Sequence, residues 1–277
     1  MQSYLKNMRE LVGESFLPTE LYSFFAMPNC GKTVYLIGEV INLMHNDDVR
    51  VLWIDTEGGF KDMWTIWRDR FMTRFGMKSF NENNFYYKRT YSYPEIMEFL
   101  GKSVEMDFSS NKSTLYFHGN VKKGTPNVYD DFGKKRDKTL IVLDSMTNVF
   151  NMGLVTNTQN FPIRSDATGL LINALYELSD KVNAPIFISN HASLNPTNPY
   201  EVHPHLKGGS MMYYSSKYVT LIEKPKKKVL EDIRKVYAVR SPYHKEWSKY
   251  VWLKLSENGY EDVTEAEIDE IATGKSQ

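Results

Sequence analysis

Residues 26–33, Ala-Met-Pro-Asn-Cys-Gly-Lys-Thr, constrain the fold of this chain more than any other segment. The apolar run that precedes them, 21–26, predicts a short buried strand. The residues that follow, 32–45, carry apolar side chains at helical spacing and predict an amphipathic helix. A strand that passes through a tight loop into a helix is the opening unit of an α/β fold.

The loop matches the end of the phosphate-binding pattern G-x-x-x-x-G-K-[ST], with Ala26 in place of the first glycine. Backbone N–H groups of 28–33 would wrap phosphates at the helix N-terminus. Lys32 would reach the β and γ phosphates, and the Thr33 hydroxyl would ligate Mg²⁺. Ala26 is compatible with this role if its position does not need a positive φ. The predicted ATP site is lined by Met27, Pro28, Asn29, Cys30, Gly31, Lys32, Thr33 and Val34.

Three further apolar runs, 49–55, 139–144 and 185–190, predict strands that each end in polar residues. Strands that alternate with helices, such as the one predicted at 166–182, indicate a mainly parallel α/β sheet. Ligands bind such sheets at the carboxyl ends of the strands. Further strands are predicted at 217–223, 234–240 and 249–255.

The polar residues at these strand ends supply the expected chemistry. Asp144 would hold Mg²⁺ through water, and Glu57 would polarise the water that attacks the γ phosphate. Asn190 and His191 would sense the γ phosphate, whereas Asp55 would close its own turn. Each of these residues also has an ordinary structural interpretation, since acids and amides are common at strand ends.

The segment 105–138 is polar and basic, with Gly, Pro, Asn and Asp throughout, and it predicts a surface insertion with a hairpin formed by 115–118 and 127–132. We expect an N-terminal helical segment over 1–20, with its helix at 4–12, an ATPase core over 21–262 and an acidic tail over 263–277.

Bulk composition limits the partners of the chain. It has 34 Lys plus Arg and 34 Asp plus Glu, so nucleic-acid binding would have to come from local basic patches. Cys30 is the single cysteine, which excludes an internal disulfide and fits a reducing, cytoplasmic location. We find no signal peptide, and no run reaches the roughly 18–20 apolar residues that span a bilayer.

The order of these motifs resembles the RecA-like recombinases, in particular archaeal RadA and RadB, with features of the phage recombinase UvsX. The resemblance rests on "VLWIDTEGGF" (51–60), "LIVLDSMTNVF" (140–150), "APIFISNHA" (184–192) and "LKGGSMMYYSSKYVTLIEK" (206–224). The pair Asn190-His191 is similar to UvsX, since the RadA group has Asn-Gln there. The resemblance covers roughly 20–262 and implies a RecA-like P-loop NTPase core with C-terminal antiparallel strands.

By that resemblance, the chain would be a DNA-dependent ATPase that binds single-stranded DNA through loops at about 151–164 and 192–208. Cations are few there, with Arg164 in the first loop and Lys207 in the second. The family completes its ATP site across a subunit interface, which would use Arg240, Pro242 and Lys245 here. Self-association as a filament or ring is therefore expected.

Two alternatives stay open. The pattern Ala-x-Pro-x-x-Gly-Lys-Thr also occurs in hexameric replicative helicases, and it fits 26–33 well. A RadB-like mediator, which binds nucleotide and acts on another recombination protein without exchanging strands, is the second. We find neither the separate N-terminal domain of RadA nor its Phe-x-x-Ala segment, which keeps the mediator open as an alternative.

Overall fold

The computed structural model describes residues 1–107, 114–132, 138–151, 161–194, 203–207 and 209–273. The helices are α1 (Lys6–Val12), α2 (Lys32–Asp47), α3 (Phe60–Arg74), α4 (Tyr93–Phe99), α5 (Val128–Asp131), α6 (Met146–Asn151), α7 (Phe161–Val182), α8 (Gly209–Ser215) and α9 (Glu265–Thr273). The strands are β1 (Leu21–Ala26), β2 (Arg50–Asp55), β3 (Phe85–Arg89), β4 (Lys102–Asp107), β5 (Thr114–Asn120), β6 (Thr139–Asp144), β7 (Ile186–Ser193), β8 (His205–Leu206), β9 (Tyr218–Glu223), β10 (Ile233–Arg240), β11 (Lys249–Ser256) and β12 (Gly259–Val263).

One large sheet organises these elements, in the order β12-β11-β10-β9-β1-β7-β6-β2-β3. The six strands from β9 to β3 are parallel, and β10, β11 and β12 continue the sheet in antiparallel fashion. The predicted α/β fold with a mainly parallel sheet and C-terminal antiparallel strands is therefore confirmed. β3 and β12 were not predicted.

The central strands are buried on both faces. Their successive side chains point to opposite sides of the sheet, and a hydrophobic cluster covers each side. On one face, Phe24, Trp53 and Val142 pack with α2 in a single hydrophobic cluster. On the other face, Ile54 and Leu143 belong to a second cluster that includes α4 and α7 residues. Helices on both faces leave the strand ends as the place where polar groups can gather.

Helices α1 and α9 pack against the antiparallel strands. The side-chain amide of Asn7 on α1 donates to the backbone oxygens of Trp252 and Val263, at 3.0 and 3.1 Å. In α9, Ile268 is buried with Leu230, Ile233 and Val263. The acidic residues 265–273 thus form a helix with one apolar anchor, and the division of the chain at 20 and 262 stays a prediction.

The predicted hairpin within 105–138 is wrong in its pairing. Strand β4 pairs with β5, and together they form a separate two-stranded ribbon. Residues 128–131 are helical because Asn127 and Asp130 form a capping box, while Val128 and Phe132 are buried one turn apart. The N-x-x-D spacing after Pro126 was the signal for this helix.

The two predicted loops are shorter than expected where the structure describes them. Helix α7 begins at Phe161, so 161–164 are helical, and 152–160 lie outside the described residues. In the second loop, β7 extends to Ser193 and pairs with β8, so the base of the loop is a short ladder. Residues 195–202 and 208 lie outside the described residues. Within the described ranges, no helix has the length and apolar character to cross a bilayer.

Candidate nucleotide site

Parallel pairing brings the predicted residues to one edge of the sheet. In the register of β1 with β7, Ala26 lies opposite His191, so the start of the loop 26–33 meets the end of β7. In the register of β2 with β6, Asp55 lies opposite Asp144. The four strand ends are consecutive in the sheet, which gathers their polar groups into one site.

Asp144 is buried at the centre of this site. Its Oδ2 accepts a hydrogen bond from the Thr33 hydroxyl at 3.1 Å, and its Oδ1 accepts one from the Ser189 hydroxyl. Burial raises the pKa of Asp144 to about 6, and the negative charge of Glu57 adds to this effect. A nearby cation would favour the ionised form of this carboxylate and so lower its pKa.

Glu57 lies next to Asp144, and its carboxylate is held by two donors. Its Oε1 is 2.7 Å from Nε2 of His191 and accepts a hydrogen bond from the Ser145 hydroxyl at 2.6 Å. The hydrogen bond with His191 lowers the pKa of Glu57, against the effect of burial, and Ser145 and the charge of Lys32 lower it further. Glu57 and Asp144 thus have pKa values shifted in opposite directions.

Asp55 closes the turn that positions Glu57. Its Oδ1 accepts from the backbone N–H groups of Glu57 and Gly58, each at 2.9 Å. Its Oδ2 accepts from the Tyr87 hydroxyl at 2.7 Å. The structural role that the sequence suggested for Asp55, and the separate position of Glu57, both agree with this geometry.

The loop 26–33 takes a conformation that explains its departure from the glycine pattern. Ala26 ends β1 and is fully buried, and positive φ angles fall instead at Asn29 (61°) and Gly31 (90°). Met27 and Pro28 are exposed. Position 26 therefore does not need glycine, whereas Gly31 occupies the left-handed region that favours it.

A brace from the antiparallel strands supports this loop, and it was not found from the sequence. The carbonyl oxygen of Cys30 accepts hydrogen bonds from the Tyr260 hydroxyl at 2.7 Å and from Nε of Arg234 at 3.0 Å. A Cβ at Gly31 would lie 2.4 Å from the Tyr260 hydroxyl oxygen. Cys30 therefore contributes its backbone, while its thiol is buried. No sequence pattern links residues 30, 234 and 260.

Lys32 and Thr33 stand at the first turn of α2, where the sequence placed them. Lys32 is only 7% exposed, and its charge contributes to the lowered pKa of Glu57 and offsets part of the raised pKa of Asp144. The Thr33 hydroxyl and the Asp144 carboxylate are hard oxygen donors, which suit Mg²⁺ that is shared with phosphate oxygens. Among the described residues, no group of three or more His, Cys, Asp or Glu could hold a metal by itself. Val34 is buried and packs in the core.

Asn190 and His191 connect the site to the second predicted loop. Asn190 is buried between Thr147 and Ser23, with hydrogen bonds of 3.3 Å to each hydroxyl. The backbone of His191 accepts from the N–H of Lys207 at 2.9 Å. The imidazole that contacts Glu57 is thus on the same residue that anchors the end of the loop.

Arg240 and Pro242 do not reach the loop 26–33 of their own chain. Nη1 of Arg240 donates to the carbonyl oxygens of Tyr213, Tyr214 and Ser216 at the end of α8. Pro242 lies in the turn that Ser241 ties to α1, through a 3.1 Å hydrogen bond to the Leu11 carbonyl. Their role across a subunit interface stays a prediction.

Comparison with known proteins identifies a similar fold, but it does not identify a family by sequence. No protein-family model matches the chain, and no curated protein matches its sequence. Among solved structures, the fold is similar to one described as the crystal structure of the RadB recombinase, with a TM-score of 0.62 and 17% sequence identity. The match covers 95% of this chain and 99% of the other. The chain therefore has a RecA-like α/β fold.

Proposed function

We propose that this chain is a DNA-dependent ATPase of the RecA, RadA and UvsX type. It binds single-stranded DNA and promotes or assists homologous recombination and strand exchange. The observation that carries the ATPase part of the proposal is the 3.1 Å contact between the Thr33 hydroxyl and Asp144, beside Glu57 with its lowered pKa. The DNA part is supported by the fold similarity to the RadB recombinase. A generic phosphate loop does not need the second carboxylate, whereas hydrolysis does.

Each residue of the site has a task in that reaction. Backbone N–H groups of 28–33 would cradle the phosphates, and Lys32 would offset the charge of the β and γ phosphates. Thr33 and Asp144 would hold Mg²⁺, which draws charge from the phosphate oxygens when it is bound. Glu57, kept deprotonated by His191 and Ser145, would orient and polarise the attacking water.

The Glu57–His191 contact would couple this chemistry to DNA. A γ phosphate beside Glu57 offers the His191 imidazole an alternative partner. Because His191 also accepts from Lys207 at the end of the second loop, a change of partner would move that loop. ATP would then act as a switch that orders the loop for single-stranded DNA.

Negative-stain electron microscopy with single-stranded DNA and a non-hydrolysable ATP analogue tests the proposal. We expect filaments on the DNA. Rings that unwind forked DNA would instead identify a replicative helicase core. Isolated particles with weak ATPase activity and a tight recombination partner would identify a mediator. Either result would overturn the strand-exchange proposal while leaving the nucleotide site in place.

A further inference from the structure

A cleft rich in lysine lies at the corner between the β4–β5 ribbon, α5 and the last turns of α7. Its volume is about 490 Å³. The charged residues that line it are Lys102, Lys122, Lys123, Lys181, Asp130 and Glu177. Four lysines against two acids leave an excess of two positive charges, on a chain whose formal net charge is zero.

The floor of the cleft is an internal pair that fixes the ribbon to α7. Nζ of Lys102 is 2.5 Å from Oε2 of Glu177 and 2.9 Å from Oδ1 of Asn120. The Lys102 side chain is only 10% exposed, so this pair is structural and electrically neutral. The excess charge of the cleft therefore comes from the remaining three lysines.

Those three lysines face solvent. Lys122 and Lys123 are exposed in the turn after β5, and in the described part of the chain neither forms a salt bridge. Nζ of Lys181 lies 4.3 Å from the centre of the Tyr129 ring, which holds its ammonium group at the rim. The charge is thus arranged for an anion that comes from solution.

The ribbon beside the cleft exposes rings as well as charges. Tyr116, Phe117 and His118 are consecutive and all exposed, and the Tyr116 and His118 rings lie nearly parallel at 6.4 Å. Val104 pairs with Phe117 and Ser103 with Gly119, so His118 is an extra residue that bulges from the ribbon. The near-parallel rings of Tyr116 and His118 thus lie side by side on the exposed ribbon.

We propose that this cleft and ribbon bind single-stranded DNA, as a contact separate from the two loops. The choice of DNA as the ligand rests on the proposed function. Proteins that bind single strands combine a positively charged groove with exposed rings on which bases stack, and both are present here. A simple phosphate compound would not need the rings.

The cleft is far from the first loop. Glu177 lies 16 residues beyond Phe161 on α7, which is about 24 Å along the helix axis. The cleft also lies at the opposite end of α7 from the residues that lead into that helix. A strand held in the cleft would therefore contact the protein at a place well separated from the start of α7.

The test compares two matched pairs of lysines. Lys122→Ala with Lys123→Ala neutralises the cleft, and Lys226→Ala with Lys227→Ala makes the same charge change at an exposed turn elsewhere. Binding of a fluorescent oligo(dT) is measured by anisotropy over a range of salt concentrations. We expect the first pair to weaken binding about 25-fold at 0.1 M salt and to reduce the log–log salt slope by about 1.4. The control pair should bind like the unmodified chain.

A ring variant separates stacking from charge. Tyr116→Ala should weaken binding about 5-fold or more with an unchanged salt slope, because it removes a stacking surface and no charge. Equal oligo(dT) affinities of the two double-lysine variants would overturn the proposed DNA contact in the cleft and leave the proposed function standing. Absence of oligo(dT) binding by the unmodified chain, with ATP and Mg²⁺ present, would overturn both.

Discussion

The carboxyl edge of the sheet and the ribbon corner each gather polar residues, and the two places are built differently. At the edge, Asp144, Asn190 and Lys32 are buried and share hydrogen bonds or charge with their neighbours. At the corner, Lys122 and Lys123 stand in solvent.

This difference shows two ways in which a protein handles anions. A buried, hydrogen-bonded site holds its groups in fixed positions, as chemistry on a phosphate requires. An exposed cluster of like charges offers a field that tolerates many positions of the ligand, as a flexible strand requires. Single substitutions should therefore have large effects at the edge and graded effects at the corner.

The largest effect is expected for Lys32→Ala. In the proposed site it removes the charge that would face the β and γ phosphates, so ATP turnover should fall below detection. The measurement is steady-state phosphate release. Lys78→Ala, which removes an exposed lysine elsewhere, is the matched control and should keep the full rate. Normal turnover in the Lys32 variant would mean that 26–33 is not the nucleotide site.

Glu57→Ala should reduce hydrolysis by about 10²–10⁴-fold, because a positioned base contributes that much to proton transfer. Nucleotide binding should persist, since the loop 26–33 is intact. Binding of a fluorescent ATP analogue and single-turnover hydrolysis separate the two steps. Loss of binding together with hydrolysis would assign Glu57 to the structure of the site rather than to the reaction.

Glu39 is a buried carboxyl on α2 outside the site, and it sharpens the contrast with Glu57. Burial raises its pKa to about 7, although Ser3 and the Tyr4 N–H both donate to it. In contrast, the hydrogen bond with His191 lowers the pKa of Glu57. Burial alone therefore does not mark the proposed catalytic carboxylate, because the balance between burial and the donors around each carboxyl sets its pKa.

The raised pKa makes stability depend on pH. Between an unfolded pKa of 4.5 and a folded pKa of about 7, the folded chain holds a proton that the unfolded chain has lost. The contribution of Glu39 to the free energy of unfolding is therefore fully present below pH 4.5. It is lost as pH rises through 7, which lowers the free energy of unfolding by about 3 kcal/mol. Urea unfolding at several pH values measures it, and Glu39→Gln should flatten the curve. The same slope in both chains would contradict the assignment.

The smallest effect concerns the brace behind the phosphate loop. Tyr260→Phe removes the hydrogen bond to the Cys30 carbonyl and should cost about 1 kcal/mol of stability. It should also weaken nucleotide binding a few-fold. Tyr93→Phe is the control, since that buried hydroxyl donates to the Ala167 carbonyl at 2.9 Å away from the site. Equal nucleotide affinities in the two variants would show that the brace serves stability alone.

The polar residues that meet at the edge can be picked out in the sequence because local patterns specify them. A short apolar strand followed by a polar residue is visible without knowledge of the fold, and parallel pairing then brings Glu57, Asp144 and Asn190 together. Lys32 and Thr33 were found by their spacing, and Ala26 is explained by its place at the end of β1.

What the sequence missed depends on contacts between distant residues. Ser189 and Ser145 form hydrogen bonds to the site carboxylates, and residue spacing does not reveal these contacts. Tyr260 contacts the Cys30 carbonyl from 230 positions away in the sequence. The prediction of the ribbon is wrong for a different reason. Its strands carry few apolar residues, so the period-two signal is weak. The strand predicted at 127–132 also overlooks the capping box that starts a helix there.

The rate of ATP hydrolysis with and without single-stranded DNA tests whether His191 and the loop that it anchors couple the proposed nucleotide site to DNA. We expect DNA to stimulate hydrolysis by the unmodified chain. We expect His191→Ala to keep a reduced basal rate and to lose the stimulation. Stimulation that survives in the His191 variant, or hydrolysis that ignores DNA in the unmodified chain, would contradict this coupling.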